Sequence, residues 1–507
     1  MKKNFVLTCA IISSSCLALS QTADWSKVHE LTIQGIDKLY NLEIEESEHT
    51  FDEVIRIAPN DPRGHFFKSL VFFWVYNLTR DEAAYKKFFE LSDKVIEICD
   101  AELDKDENNG VAKYYLGGAY GFRGLAYQRN GSTFSAAWDG RKGYSYLKEA
   151  TKDAPEVYDA QFGFGLFNYL VAKVPRGFRW ILSILGFSGD LEGGLESMRI
   201  AAEKGTYARN EATFFLATFL FNEEREDEAL KYLKRIMDKY PENSLFLVTF
   251  AQWQLRRDNI DSALITAQRA VEINSRRKIK FGDEFAHNVL ASCYFTRNDF
   301  EQARNNVELS IEKTDNKKNI FNATYYRLGL CYDLLGQREK ALAIYRQMTK
   351  AELSSNPWEY HSYRLGQKRI KSPPNEFEQM LVKAGNHQTV RAYPEALKIF
   401  RSVAEDSRAD VDQRAIALYG VVQIKNDQKE YEEVISVAKQ LASLNPPNEI
   451  WLVPHGLFRM GQACAKLGRN QEARQAFDLI DEYDDYDFQD RLETRVEEAL
   501  EKLKGVN

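Results

Sequence analysis

A chain of 507 residues that is 44% hydrophobic and 28% charged has the composition of a folded, water-soluble protein. These proportions exclude a disordered or membrane-embedded chain. A formal charge of -7, more acidic still without Lys2 and Lys3, makes nucleic acid a poor partner.

Residues 1–20 read as an export signal, with Lys2 and Lys3 as the charged region, Phe5 to Leu19 as the apolar stretch and Ala18-Leu19-Ser20 as the cleavage site. A lipid anchor on Cys16 is the alternative, but Ser13-Ser14-Ser15 lacks the leucine and small residues of that signal. The chain is therefore expected to be exported: periplasmic or envelope-associated in a bacterium, secreted otherwise. No later run reaches the roughly 18 uninterrupted apolar residues of a membrane span; Phe66 to Leu78 and Phe162 to Val174 have the length of buried helices. Peripheral or lipid-anchored membrane association stays open.

Downstream the pattern is that of helical hairpins. A first helix carries aromatic-x2-Leu-Gly-x2-Tyr and a second Ala-x3-aromatic, as in Tyr325, Leu328, Gly329 and Tyr332 followed by Ala341 and Tyr345. Leu457, Met460, Gly461 and Cys464 with Ala473 and Phe477 form another copy, and Leu216, Ala217 and Leu220 with Ala229 and Leu233 a third. A constant gap of twelve separates the small residues in Gly329/Ala341, Gly461/Ala473, Ala217/Ala229, Ala251/Ala263 and Ala291/Ala303. Two antiparallel helices approach most closely where their side chains are smallest, so each pair marks a crossing. Degenerate second helices occur at Ser47, Phe51, Val54 and Pro59 and at Gly143, Leu147, Ala150 and Pro155. The predicted fold is all-α, with tetratricopeptide-type hairpins forming a right-handed α-solenoid.

The expected organisation is an irregular helical region at 21–205, repeats at 206–350, a linker at 351–375 around Pro357, Pro373 and Pro374, and further repeats at 376–507. Phe488, Leu492, Val496, Leu500 and Leu503 form an amphipathic capping helix, with acidic Asp481 to Asp487 as its solvated approach. Cys99, Cys293, Cys331 and Cys464 have no metal-ligand spacing and read as buried structural thiols.

The segment 159–195 departs from the repeats. It runs Phe162-Gly163-Phe164-Gly165-Leu166-Phe167-Asn168, then Val174-Pro175-Arg176, then Gly186-Phe187-Ser188-Gly189-Asp190 and Gly193-Gly194-Leu195. This resembles the tetratricopeptide repeat protein 39 family, which includes the inclusion body clearance proteins. The resemblance extends more loosely from about residue 30 to the carboxyl end, and implies a helical-repeat fold and a noncatalytic role linked to protein or lipid homeostasis. The chain departs from the family in having one proline at the Pro-Arg turn, where two are frequent, and in its export signal. From the residues themselves, Gly163 and Gly165 predict a tight helix crossing. Arg176 and Asp190 form either an internal ion pair or a clamp for an anionic ligand.

Catalytic signatures fail. His29-Glu30 begins like a zinc-protease helix, but Ile33 stands where the second histidine belongs, and no nucleophile elbow, phosphate-binding loop or dinucleotide fingerprint occurs. No catalytic residue, metal or cofactor is expected. The predicted function is a noncatalytic scaffold for a protein or peptide, with Phe214, Phe221, Tyr326 and Asp333 facing the binding surface. The alternative is glycan or nutrient binding on aromatic platforms drawn from Trp74, Trp138, Trp180, Trp253 and Trp358.

Overall fold

A computed structural model describes residues 23–174, 189–314, 317, 320–352 and 356–504. The described residues form 24 α-helices and no strand. The chain divides into two compact units, Met1–Tyr240 and Pro241–Asn507.

Unit 1 contains α1 (Trp25–Tyr40), α2 (Ile44–Ile57), α3 (Pro62–Thr79), α4 (Glu82–Leu103), α5 (Gly110–Arg129), α6 (Thr133–Asp153), α7 (Ala160–Ala172), α8 (Leu191–Lys204), α9 (Arg209–Asn222) and α10 (Glu226–Lys239). Unit 2 contains α11 (Ser244–Arg256), α12 (Ile260–Ser275), α13 (Asp283–Thr296), α14 (Phe300–Lys313), α15 (Asn322–Leu334), α16 (Arg338–Tyr345), α17 (Pro357–Lys371), α18 (Glu376–Thr389), α19 (Tyr393–Glu405), α20 (Val411–Asp427), α21 (Tyr431–Ala442), α22 (Leu452–Lys466), α23 (Asn470–Asp478) and α24 (Gln489–Lys504).

The twelve-residue gap marks the hairpin crossings. Ala217, Ala229, Ala251, Ala263, Ala291, Ala303, Ala341 and Ala473 are all fully buried. Gly329 lies under the Tyr345 ring, where a Cβ would come within 2.4 Å of a ring carbon, and Gly461 lies equally close under Phe477. The same pattern occurs where sequence reading found only half of it: Gly35 lies under Phe51, and Ser47 Oγ donates to the Gly35 carbonyl at 2.8 Å. Ala384 and Ala396, also twelve apart and fully buried, add a further copy.

Each such hairpin turns through a residue of positive φ, Leu42 and Glu224 in unit 1 and Asp258, Asn298, Gly336, Arg391 and Gly468 in unit 2, and the α20/α21 hairpin does so at Lys429. At the α15 terminus Gln337 N–H donates to Tyr332 C=O (2.8 Å) and Gly336 N–H to Asp333 C=O (3.0 Å), the paired bonds of a Schellman motif. Those bonds recover carbonyls the helix end would otherwise orphan, which is why residues such as Lys429 are held in a left-handed conformation.

The expected tight crossing in the irregular segment is formed by Gly165 on α7 and Gly194 on α8. A Cβ on Gly165 would come within 2.6 Å of the Gly194 carbonyl oxygen, and one on Gly194 within 2.8 Å of the Gly165 oxygen. Gly163 instead faces the Leu147 side chain, which a Cβ there would approach to 2.7 Å.

The expected 351–375 linker is largely helix. Pro357 occupies the first turn of α17, where its missing N–H would have no intrahelical partner anyway, and Asn356 caps it by accepting from Trp358 N–H and Glu359 N–H at 3.2 Å. Pro373 and Pro374 then separate α17 from α18. The capping helix is present as α24, with Leu492, Val496 and Leu503 buried. Its acidic approach is not uniformly solvated: Tyr486 and Asp487 are buried. The four thiols among the described residues are buried as well, and burial pushes those of Cys99, Cys293 and Cys331 up to about 12.

Gly165→Leu should destabilise by about 1 to 3 kcal/mol, because its neighbour is backbone that cannot swing aside, while Gly163→Ala should cost less because Leu147 can rotate. Thermal melts of the two variants check the order. Lys429→Gly should raise stability by about 1 kcal/mol, since it removes left-handed strain at an exposed turn; a lower melting temperature would contradict that account.

Candidate binding sites

Unit 2 contains a cleft of about 530 Å³ between α17 and the two loops that precede α22 and α24. Its floor is an ion network. Arg364 donates through Nη1 to Glu449 Oε1 (3.1 Å) and through Nη2 to Glu449 Oε2 and Asp487 Oδ2 (2.8 Å each). Asp487 Oδ2 also lies 2.6 Å from His361 Nδ1, and Glu449 Oε2 accepts from Trp451 Nε1 at 3.0 Å. Burial raises the Asp487 pKa, but the hydrogen bonds from His361 and Arg364 prevail and hold the carboxyl below its ordinary range.

The surrounding backbone is fixed in the same way. Asp412 accepts from Asn448 N–H (3.0 Å), Asn448 Nδ2 (2.7 Å) and Glu449 N–H (3.1 Å). Arg369 makes a forked pair with Glu378 at 2.5 and 2.8 Å, joined by Lys368 at 2.8 Å, and this ties α17 to α18. Burial opposes ionisation of Glu378, yet these two cations hold its pKa down to about 2. Tyr360, Gln367 and Lys371 line the cleft above this fixed floor.

Unit 1 holds a half-enclosed cavity of about 450 Å³, mostly apolar, formed by α3, α5, α6 and α7 and closed at one end by Asp159 and Glu211. Its polar end is built by long-range contacts. Asp159 Oδ1 accepts three backbone N–H groups, from Thr206 (2.8 Å), Tyr207 (2.9 Å) and Ala208 (2.7 Å), which sets the start of α9. Asp37 on α1 accepts from Lys239 Nζ at 2.9 Å and from the Tyr240 hydroxyl, while Tyr40 stacks on Tyr240 with ring centroids 5.3 Å apart. This brings the Tyr40 hydroxyl to Glu211.

Glu211 is 5% exposed, and among the described residues its Oε2 has no hydrogen-bond partner. Burial, with the nearby Asp159 carboxylate adding to it, lifts its pKa to about 7, against smaller opposing hydrogen bonds from Tyr40 and its own N–H. Such a shift corresponds to about 3 kcal/mol of lost stability once the group is fully ionised.

The sequence-predicted surface residues do not converge. Asp190 is exposed and accepts from Gly193 N–H at 2.9 Å as the N-cap of α8; Arg176 lies outside the described residues. Phe214 is half-buried and Phe221, at 2% exposure, belongs to the core. The Asp333 carboxylate is buried and engaged by Arg338 (3.0 Å) and the Tyr345 hydroxyl (3.0 Å), so it holds α15 to α16 rather than facing a partner. Tyr326 packs beside Tyr345 and is hydrogen-bonded by Arg369. Of the tryptophans, Trp253 is buried, Trp138 and Trp358 are exposed in different units, and Trp180 lies outside the described residues. Among the described residues no group of His, Cys, Asp or Glu is arranged to hold a metal ion, and no helix is long and apolar enough to cross a membrane.

The family model described as Iml2/Tetratricopeptide repeat protein 39 matches residues 158–355, bearing out the resemblance carried by the 162–195 motif. Among solved structures, the chain is similar to yeast Tom70, with 12% identity over 87% of this chain and 96% of that one and a TM-score of 0.30. It is similar to a human IFIT1 dimer with PPP-AAAA, with 14% identity over 90% and 95% and a TM-score of 0.32. A third similar structure is the P58(IPK) TPR domain, with 14% identity over 87% and 98% and a TM-score of 0.23.

Because the folded-state pKa of Glu211 is raised, its favourable contribution is present below about pH 4.5 and is lost as pH rises through 7. Glu211→Gln should therefore leave stability near the parent value at pH 5 and raise it by up to about 3 kcal/mol at pH 8. Denaturant melts at the two pH values check this, and equal effects at both would refute the assignment.

Proposed function

We propose that this protein is a noncatalytic helical-repeat scaffold that binds a polypeptide segment in the unit 2 cleft. The carrying observation is that Arg364, Glu449, Asp487 and His361 already satisfy one another, so the cleft keeps its shape with no partner bound. Binding then costs little reorganisation. The lining supports the same reading: Trp451, Tyr360 and Arg364 belong to the three residue types that dominate binding hot spots, and exposed Lys371 supplies a charge at the edge. Helical hairpin arrays present extended surfaces suited to such segments. The scaffold is exported, with residues 1–20 removed; the charged and apolar leader supports that part of the reading.

The test is co-purification from the native host followed by quantitative binding to the recovered partner. Tyr360→Ala combined with Lys371→Glu should weaken binding at least tenfold with an unchanged melting curve, while Lys398→Glu, outside the cleft, should not. Undiminished binding by the double variant would place the partner elsewhere. For export, the intact mass of the fractionated protein should correspond to a chain starting at Gln21, and a mass retaining Met1 would refute removal of the leader.

A further inference from the structure

The unit 1 cavity shares no residue with the cleft of unit 2, and its chemistry differs. Half-exposed apolar side chains, among them Leu125, Leu166, Phe167 and Leu170, face a space of about 450 Å³. That is within the usual range for a small-molecule site, which is roughly 300 to 1,000 Å³. The space has a specific origin. Gly121 on α5 and Gly140 on α6 both line it, and a Cβ built on either meets no atom of the described residues within 4 Å. Other glycines of the same two helices serve the helix crossing: a Cβ on Gly143 would come within 2.8 Å of the Gly121 nitrogen, and one on Gly124 within 3.1 Å of the Ala136 oxygen. Close packing explains Gly143 and Gly124 but leaves the empty faces of Gly121 and Gly140 unexplained. Glycine within a helix costs about 1 kcal/mol relative to alanine, so those two positions give up stability with no contact from the described residues in return.

The polar end of the cavity is also incomplete. Asp159 Oδ1 is engaged by three N–H groups, whereas Glu211 Oε2, on a side chain that is 5% exposed, has no partner among the described residues. An unsatisfied buried carboxyl oxygen is costly, and a donor brought by a ligand would remove that cost. A second carboxylate would add like charge beside Asp159 and Glu211, so an anionic head is disfavoured there.

We propose that the unit 1 cavity binds a small amphiphile with an apolar body, lodged over Gly121 and Gly140, and a hydrogen-bond-donating head, an amine or a hydroxyl, directed to the Glu211 carboxyl. The ligand stands in for side chains that the two glycines omit and supplies the donor that Oε2 lacks.

Isothermal titration of the full-length protein with dodecylamine, dodecanol and dodecanoate, each below its micellar concentration, tests this. One molecule of dodecylamine or dodecanol should bind per chain, at least tenfold more tightly than dodecanoate. Gly140→Leu should abolish this binding while leaving the melting temperature unchanged or higher, because the new side chain fills open space. Glu211→Gln should remove the preference for amine over carboxylate without unfolding unit 1. Binding of dodecanoate as tight as that of the amine, undiminished binding to Gly140→Leu, or uptake of many molecules per chain would each overturn the proposal.

Discussion

How closely the two helices of a hairpin can approach is the constraint on which the rest of this protein depends. At Gly329 and Gly461 the first helix contributes only a hydrogen atom, and the ring of Tyr345 or Phe477 fills the space from the second. The small residue and the aromatic are therefore one packing unit, sixteen positions apart, with the buried alanine between them fixing the register. Each hairpin still leaves an apolar face that only the next hairpin covers, so an error at one crossing propagates to its neighbours. The α7/α8 pair takes the same principle further: Gly165 and Gly194 bring backbone against backbone, which no side-chain rotation can relax.

Features that recur locally were legible in the sequence. The twelve-residue gap, the glycines of α7, the buried thiols and the apolar stripe of α24 are each defined within about 30 residues, and each appears in the structure. Features set by distant partners were not. Arg364 meets Glu449 and Asp487 from 85 and 123 positions away, and no spacing rule connects them. Glu211 lies in the first turn of α9, where an acidic residue complements the helix dipole, and nothing local shows that α1, folding back through Asp37 and Tyr40, helps to enclose it.

The linker expected at 351–375 and the unannounced left-handed turns both have local causes. Pro357 is a breaker in the middle of a helix but an initiator in its first turn, and the run of prolines around it obscured that difference. Leu42, Glu224 and Lys429 carry none of the composition expected of a left-handed turn, because the Schellman hydrogen bonds hold the backbone there whatever the side chain. The surface residues failed for a related reason. Phe221 and Asp333 were assigned by their position on a first helix, yet a first helix also faces its own second helix, and Asp333 is consumed by Arg338 and Tyr345 in that interface.

The unit 2 cleft and the polar part of the unit 1 cavity treat buried carboxylates differently. In unit 2 every carboxylate of the cleft floor has a cationic or N–H partner, which is what lowers the pKa values of Asp487 and Glu378 despite burial. A floor of this kind keeps its geometry over a wide pH range and offers a partner shape rather than an unmet bond. In unit 1 the Glu211 carboxyl is buried with one oxygen unsatisfied, so its ionisation falls near neutral pH and the local energy depends on what lies beside it. Stability selected alone would replace Glu211 by an apolar residue or a neutral amide, and Gly140 by a larger side chain. Both departures lie on the same cavity, and an amphiphile with an apolar body and a donor head would resolve both at once, whereas neither is accounted for by the packing of the hairpins.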